Sequence, residues 1–294
     1  PAPPPASHMG RVLTRALHHH LNHLEFPNGR VVLGADPEFT IINRRTGRLV
    51  PASKYLSFNG RLGLDRQRLR GSRSTRPIGE VRPLPDAEPD RLVQQIHRLL
   101  LRLHRQIRRR SYHWIAGSGP DAYPTGGHIH ISGSGLSAGL LRSLDVYLAI
   151  PFLLLEKTAK ARRRRRRYGG LGDFRRKPWG FEYRTVPSWL VAPRYARAAF
   201  ALTKLIARNW PGLKYDPFLD SNVQQAFYSC RKEVFYPIAQ QLWSDLRQLP
   251  DYKNYAEHLE PLLQMIQAGT VWSESSDFRR QWGVLFRRRR RRRR

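Results

Sequence analysis

Residues 30–42 read RVVLGADPEFTII, apolar and β-branched residues on either side of an acid–proline–acid triplet, the composition of a β-strand. Strand side chains alternate, so Asp36 and Glu38 fall on one face. Pro37 has no N–H to give to a ladder, which argues for an edge position or a bulge. Residues 43–47 are expected to turn the chain into a second strand.

Moving outward along the chain, the same i, i+2 arrangement recurs three times. Glu80 and Arg82 form it in GEVRP (79–83), and Glu182 and Arg184 in GFEYR (180–184). His128 and His130 form it in TGGHIHIS (125–132), after a Gly126–Gly127 pair that lets backbones approach closely. Any one such pair is the ordinary wet face of an amphipathic strand. Four of them, in apolar segments flanked by Gly or Pro, describe a sheet whose concave side is polar. Clustered carboxylates repel one another and take up protons unless a cation neutralises them. Oxygen ligands with one or two imidazoles suit Mg²⁺ or Mn²⁺, and neighbouring arginines suit phosphate oxygens. Arg175, Arg176 and Lys177 follow Gly169, Gly170 and Gly172 and are expected to bring phosphate-binding charge on a pliable loop, the candidate lid. The chain has no GxxxxGK[ST] loop. Ser132 and Ser188 lie in no nucleophile elbow, and Cys230 has no histidine nearby in sequence.

The remaining periodicities point to an α+β fold. Helices are expected over 89–110, 136–157 and 194–208, and strands over 78–82, 112–116, 127–132 and 181–185. Residues 57–77 read as loop, and from 222 onward the pattern is helical with breaks at Pro237, Pro250 and Pro261. In domain terms, 1–9 (PAPPPASHM) reads as a linker and cloning scar, and 10–29 as an N-terminal helical segment carrying His18–His20 and His23. Residues 30–210 read as a catalytic domain, 211–286 as a helical part packed on it, and 287–294 as an arginine tail.

Charge sets the rest of the frame. The 294 residues hold 53 Lys+Arg against 22 Asp+Glu, a formal net charge of +31, a field that draws polyanions. The runs 162–167 and 287–294 are expected to be solvated, mobile segments. No uncharged apolar run reaches the ~18–20 residues of a membrane span. With one cysteine and no visible secretory signal, a reducing cytoplasm is the expected setting.

The order of the motifs resembles the phage-type carboxylate–amine ligases, or amidoligases, a group placed with glutamine synthetase and glutamate–cysteine ligase. The resemblance runs from about residue 30 to 208 and is carried by GADPEF (34–39), GEVRP (79–83), TGGHIHIS (125–132) and GDFRRKPWGFEYRTVPSW (172–189). It implies a glutamine-synthetase-like, mainly antiparallel catalytic sheet flanked by helices, with a helical C-terminal third. It also implies ATP and two or more Mg²⁺ or Mn²⁺ ions. By the same resemblance, Asp36, His128 and Glu182 would hold the metal next to the γ-phosphate, and Glu38 with Glu80 the metal near the carboxylate substrate. His130 would sit by the nucleotide phosphates, Arg184 by the transferred phosphoryl group, and Asp65 is a weaker candidate ligand. Arg82, Arg175, Arg176 and Lys177 complete the expected nucleotide-binding set.

The implied reaction activates a carboxylate as an acyl phosphate, from which an amine then displaces phosphate, the acceptor being a peptide, a cell-wall component, a phage protein or a small amine. The competing reading from the same carboxylates and the +31 charge is a metal-dependent nucleic-acid-binding protein or nuclease. A catalytically inactive scaffold of this fold is the third.

Overall fold

A computed structural model describes residues 29–120 and 122–285; the expected N-terminal helical segment up to residue 28, its histidines and the arginine tail lie outside the described residues. In chain order the first half holds β1 (Val32–Ala35), β2 (Glu38–Asn43), β3 (Leu49–Val50), β4 (Leu62–Leu64), β5 (Ile78–Val81), α1 (Pro89–Gln106), β6 (Tyr112–Ile115) and β7 (Ile129–Ser132). The second half holds α2 (Ala138–Leu144), α3 (Ile150–Leu155), α4 (Thr158–Arg165), β8 (Phe174–Lys177) and β9 (Gly180–Tyr183). It closes with α5 (Pro193–Asn209), α6 (Ser221–Ser229), α7 (Phe235–Arg247) and α8 (Ala256–Gln267).

The strands form two sheets, one in the order β1-β7-β9-β8 and one in the order β3-β2-β5-β4 with β6 on the other edge of β2. Every pairing between these strands is antiparallel. The fold is therefore a mixed α/β one with antiparallel sheets. The expected strand over 30–42 is cut in two at Asp36–Pro37, and its halves belong to different sheets. Pro37 lies at the seam rather than at an outer edge. The expected loop over 57–77 contains β4, a three-residue strand too short to carry a period-2 signal.

Leu33, Ile129, Ile131, Phe181 and Tyr183 point to the core side of the first sheet, all fully buried. Helix α5 packs there, with α1 and α8 beside it. Its alanines, Ala196, Ala198, Ala199, Ala201 and Ala207, let neighbours come close. The expected helix over 136–157 passes through a π-helical stretch, Asp145–Ala149, just before Pro151. A proline cannot donate back to the preceding turn, and widening that turn accommodates the missing bond. The stretch Ala138–Leu155, which includes Arg142 and Asp145, is long and apolar enough by composition to cross a membrane, but 78% of it is buried inside the protein. It is a core helix.

Two expectations about arginine and proline are corrected. Arg164 and Arg165 in the run 162–167 are buried on α4, not solvated. Arg164 donates to the carbonyls of Thr125 (3.0 Å), Thr185 (2.8 Å) and Val186 (2.8 Å), tying together the segments on either side of β7 and β9. Arg165 pairs with the buried Glu156 and lies 4.5 Å over the Phe227 ring. Helical phase, invisible in a homopolymer run, selects which arginines turn inward. Pro237 does not break α7, because it lies in the first turn where N–H groups have no partner to lose. Pro261 lies inside α8, whereas α7 does end just before Pro250.

Candidate active site

The site is built on the seam. Although β1 and β2 belong to different sheets, the backbone continues between them: Asp36 N–H donates to the His128 carbonyl (3.4 Å) and Glu38 N–H to that of Gly126 (2.9 Å). Asp36 and Glu38 thus project from one extended run into two adjacent groups. A side chain at Gly127 would collide with the Pro187 carbonyl, so the close approach expected of the glycine pair is real.

In the first group His130 stands opposite Glu182 across the β7–β9 ladder. One ligand atom from each of Asp36, His130 and Glu182 lies within 4.8 Å of the others. His130 Nε2 is 3.3 Å from Asp36 Oδ2, and His128 Nδ1 is 3.0 Å from Asp36 Oδ1 and 3.5 Å from Glu182 Oε1. Burial works against charge on Asp36, but His128 and then His130 outweigh it and hold this carboxyl well below the usual carboxylate range. Around Glu182 stand Lys177 (2.9 Å), Arg175 (3.5 Å) and Arg184 (3.2 Å). Despite these cations, neither Glu182 oxygen makes a hydrogen bond in good alignment, nor does His130 Nε2, and all three atoms are buried. Their partners are therefore ionic, and the cluster keeps three buried donor atoms side by side that a cation could share.

In the second group Glu38 stands opposite Glu80 on β2–β5, and Asp65 completes a triplet whose oxygens approach within 4.8 Å. The Gly126 N–H donates to Glu38 (2.7 Å) and Arg82 Nε to Glu80 (2.7 Å). A side chain at Gly63, opposite Glu80, would occupy the place of the Arg82 guanidinium. Burial first, then Asp65 and Glu80, push the Glu38 carboxyl well above its ordinary value. Burial and then Asp36 raise Glu80 to about 8, against the pull of Arg82. Three acids this close cannot all ionise without a cation.

Beside the second group lies a cavity of about 390 Å³ lined by Glu38, Asp65, Arg167, Tyr168, and the Arg175 and Arg184 that flank Glu182. Most of the residues singled out in the sequence fall in or against these two groups, with three differences. His128 is not in the three-donor group; it backs Asp36 and makes a short contact with the Tyr168 hydroxyl. Arg82 is engaged by Glu80 and by the carbonyls of Phe58 (2.7 Å) and Leu64 (3.0 Å), which fixes the Asp65 side of the site. Arg176 is out of phase with Arg175 and Lys177 and falls on the opposite face of β8. The expected lid over 169–177 is half strand: Phe174–Lys177 pairs with β9, so only 169–173 remain as loop.

Three site residues were not anticipated. Tyr168 has the Arg184 guanidinium 4.9 Å from its ring. Asp173 holds Arg184 at 3.4 Å. Trp179, 46% exposed, leans on His130 with ring centres 5.1 Å apart at the mouth. Asp173 and Trp179 lie inside GDFRRKPWGFEYR, and Tyr168 directly precedes the glycines, so their proximity to the motif was the available signal.

The chain matches the family described as phage phiEco32-like COOH.NH2 ligase-type 2 over residues 33–284, a span that includes the C-terminal helices where no motif was legible. No curated protein matches it. Among solved structures, a bifunctional glutathione synthetase from Pasteurella multocida is similar with a TM-score of 0.53 and 10% sequence identity, covering 91% of this chain and 52% of that chain. This chain thus spans about half the length of that structure, and the likeness is one of fold. With donor groups on both sides of Pro37 and the match running through the whole described fold, the chain belongs to the phage phiEco32-like COOH.NH2 ligase-type 2 family.

Proposed function

We propose that the protein is an ATP-dependent ligase that activates a carboxylate as an acyl phosphate and transfers the acyl group to an amine, on a glutamine-synthetase-like catalytic sheet. The observation that carries this reading is the buried Glu182 carboxylate, 1% exposed, which brings a donor atom within 4.8 Å of one each from Asp36 and His130 while Lys177, Arg175 and Arg184 stand around it. Hard oxygens with one imidazole are the donor set that Mg²⁺ or Mn²⁺ takes, and the Asp36, His130 and Glu182 cluster offers that set. Asp36, His130 and Glu182 would hold one ion, and Glu38, Asp65 and Glu80 another. Bound there, divalent cations supply charge neutralisation for phosphate oxygens during transfer.

The chain's own residues do the rest. Arg175, Lys177 and Arg184 converge on one edge of the first group and suit the equatorial oxygens of a transferring phosphoryl group. Asp173 and the Tyr168 ring fix the plane of the Arg184 fork. His128 orients Asp36. The cavity bounded by Asp65 and Tyr168 receives the carboxylate donor, and loop 169–173 beside it is the segment able to close over the acyl phosphate and exclude water. An amine then displaces phosphate, releasing ADP and inorganic phosphate overall.

The test is a hydroxylamine trap. The protein is incubated with Mg-ATP, hydroxylamine and a pool of amino acids and acidic peptides, and ADP and hydroxamates are read by mass spectrometry. The expected result is a hydroxamate that is absent with Glu182→Gln, its mass identifying the carboxylate. Nuclease activity lost in the same variant, with no ADP from any carboxylate, would overturn the proposal in favour of the metal-dependent nuclease.

A further inference from the structure

At the far end of β2 from Glu38 the molecule carries a second, unrelated concavity. Asn43 closes β2 five residues beyond Glu38, on the order of 17 Å at the rise of a strand. There the turn after β2 and the end of α1 meet the segment after α8. A cavity of about 800 Å³ opens between them, lined by Arg44, Arg108, Arg109, Arg110, His113 and Arg280.

Its charge is one-sided. One carboxylate, Asp277, lines it, and that carboxylate is already held by Arg279 at 2.9 Å and 2.6 Å. Arg279 itself is buried, lies 4.6 Å over the Trp114 ring and donates to the Tyr112 carbonyl, so this pair is structural. Among the described residues no carboxylate comes within ion-pair distance of Arg44, Arg108, Arg109, Arg110 or Arg280. Five exposed guanidinium groups therefore share a concave surface with no acid to balance them, where a cleft focuses their field. The lip of the cavity is Leu285, and the sequence continues two residues later into Arg287–Arg294. Such crowding is unfavourable for the protein alone and becomes favourable when closely spaced anions lie among the arginines. Planar guanidinium forks match phosphate oxygens in pairs. The lining has no phenyl, phenol or indole ring, the side chains that make the large stacking platforms for bases.

We propose that this bowl is a second binding site, separate from the ligase chemistry, for a chain of phosphate groups: a nucleic-acid backbone or a linear polyphosphate, held by charge and without base reading. The proposal stands whether or not the reaction proposed above is correct.

The experiment uses the full chain and fluorescence anisotropy at about 0.15 M salt. The probe is a labelled oligothymidylate of about 12 nucleotides, and linear polyphosphate and polyglutamate of matched charge are competitors. The variant Arg44→Ala/Arg109→Ala/Arg110→Ala/Arg280→Ala removes only exposed side chains. A control removes the same charge from another basic groove, as Arg61→Ala/Arg91→Ala/Arg98→Ala/Arg102→Ala. The arginine tail is present in all three proteins and contributes equally.

Binding of a phosphate polymer should weaken about tenfold or more in the bowl variant, with a log–log salt slope shallower by about 2 to 3, and about twofold or less in the control. Oligonucleotide binding that polyphosphate cannot displace assigns the bowl to nucleic acid. Displacement by polyphosphate at lower concentration assigns it to polyphosphate. Equal losses in bowl and control variants, displacement by polyglutamate as effective as by polyphosphate, or no binding of either phosphate polymer would each overturn the proposal.

Discussion

The two donor groups on either side of Pro37 are made from the same kinds of residue but are balanced differently. The group of Asp36, His130 and Glu182 is ringed by His128, Arg175, Lys177 and Arg184, and its carboxylates sit among positive charge. In the group of Glu38, Asp65 and Glu80, Arg82 is paired with Glu80, and Glu38 and Glu80 are both pushed upward. In physical terms the first group is stable as it stands and would bind an ion together with an anionic ligand. The second would need the ion itself to ionise fully. That asymmetry fits a site in which one side meets phosphate and the other meets the carboxylate to be activated.

The largest expected effect breaks the first group. Glu182→Gln removes the buried charge on which Lys177, Arg175 and Arg184 converge, and turnover should fall about a thousandfold or more with the fold retained. ADP release read alongside a thermal melt checks it. Next, Arg184→Lys replaces a planar fork with a point charge. It should lower kcat about ten- to a hundredfold while leaving KM for ATP nearly unchanged, as steady-state kinetics would show.

The second group makes its own prediction, in stability rather than rate. A carboxyl whose folded pKa is raised binds its proton in the folded state over a pH range where the unfolded chain has lost it. Stability therefore falls as pH rises through that range. For Glu80 the range runs from its ordinary 4.5 to about 8, and Glu38 adds in the same direction. Asp36, held low, has the opposite sign and acts only in acid, below that range. The melting temperature of chelator-treated protein should drop between pH 5 and 8, and saturating Mg²⁺ or Mn²⁺ should flatten the profile. The same slope in Glu38→Gln/Glu80→Gln would remove these two acids from the explanation. The smallest effect is Tyr168→Phe, which removes the hydroxyl at His128 but keeps the ring under Arg184. Turnover should fall a few-fold, measured by the same ADP assay.

Much of this site was legible in the sequence because its chemistry is written in strand parity. An i, i+2 spacing puts two side chains on one face whatever the tertiary context, so Asp36/Glu38, Glu80/Arg82, His128/His130 and Glu182/Arg184 were found as pairs. Which pair faces which was not legible. The Glu38–Glu80 and His130–Glu182 partnerships depend on ladder register, and the split at Pro37 into two sheets is a long-range event. Parity also explains the treatment of Arg176. The run RRK was read as one charge patch, whereas β8 sends its middle member to the other side. The arginines of 162–167 show the converse: composition alone points to solvent, while the helical phase of α4 buries Arg164 where three carbonyls converge. The C-terminal part carried no readable motif because its contribution is packing, as in Trp282 donating to the Leu190 carbonyl at 2.6 Å.

The most direct measurement on the account is a count of bound Mn²⁺ by calorimetry or paramagnetic resonance in wild type and in one variant of each group. The wild type should bind two ions. Glu182→Gln should lose one of them, and Asp65→Asn/Glu80→Gln should lose the other. One ion in the wild type, or two ions retained in both variants, would contradict the division of the site at Pro37.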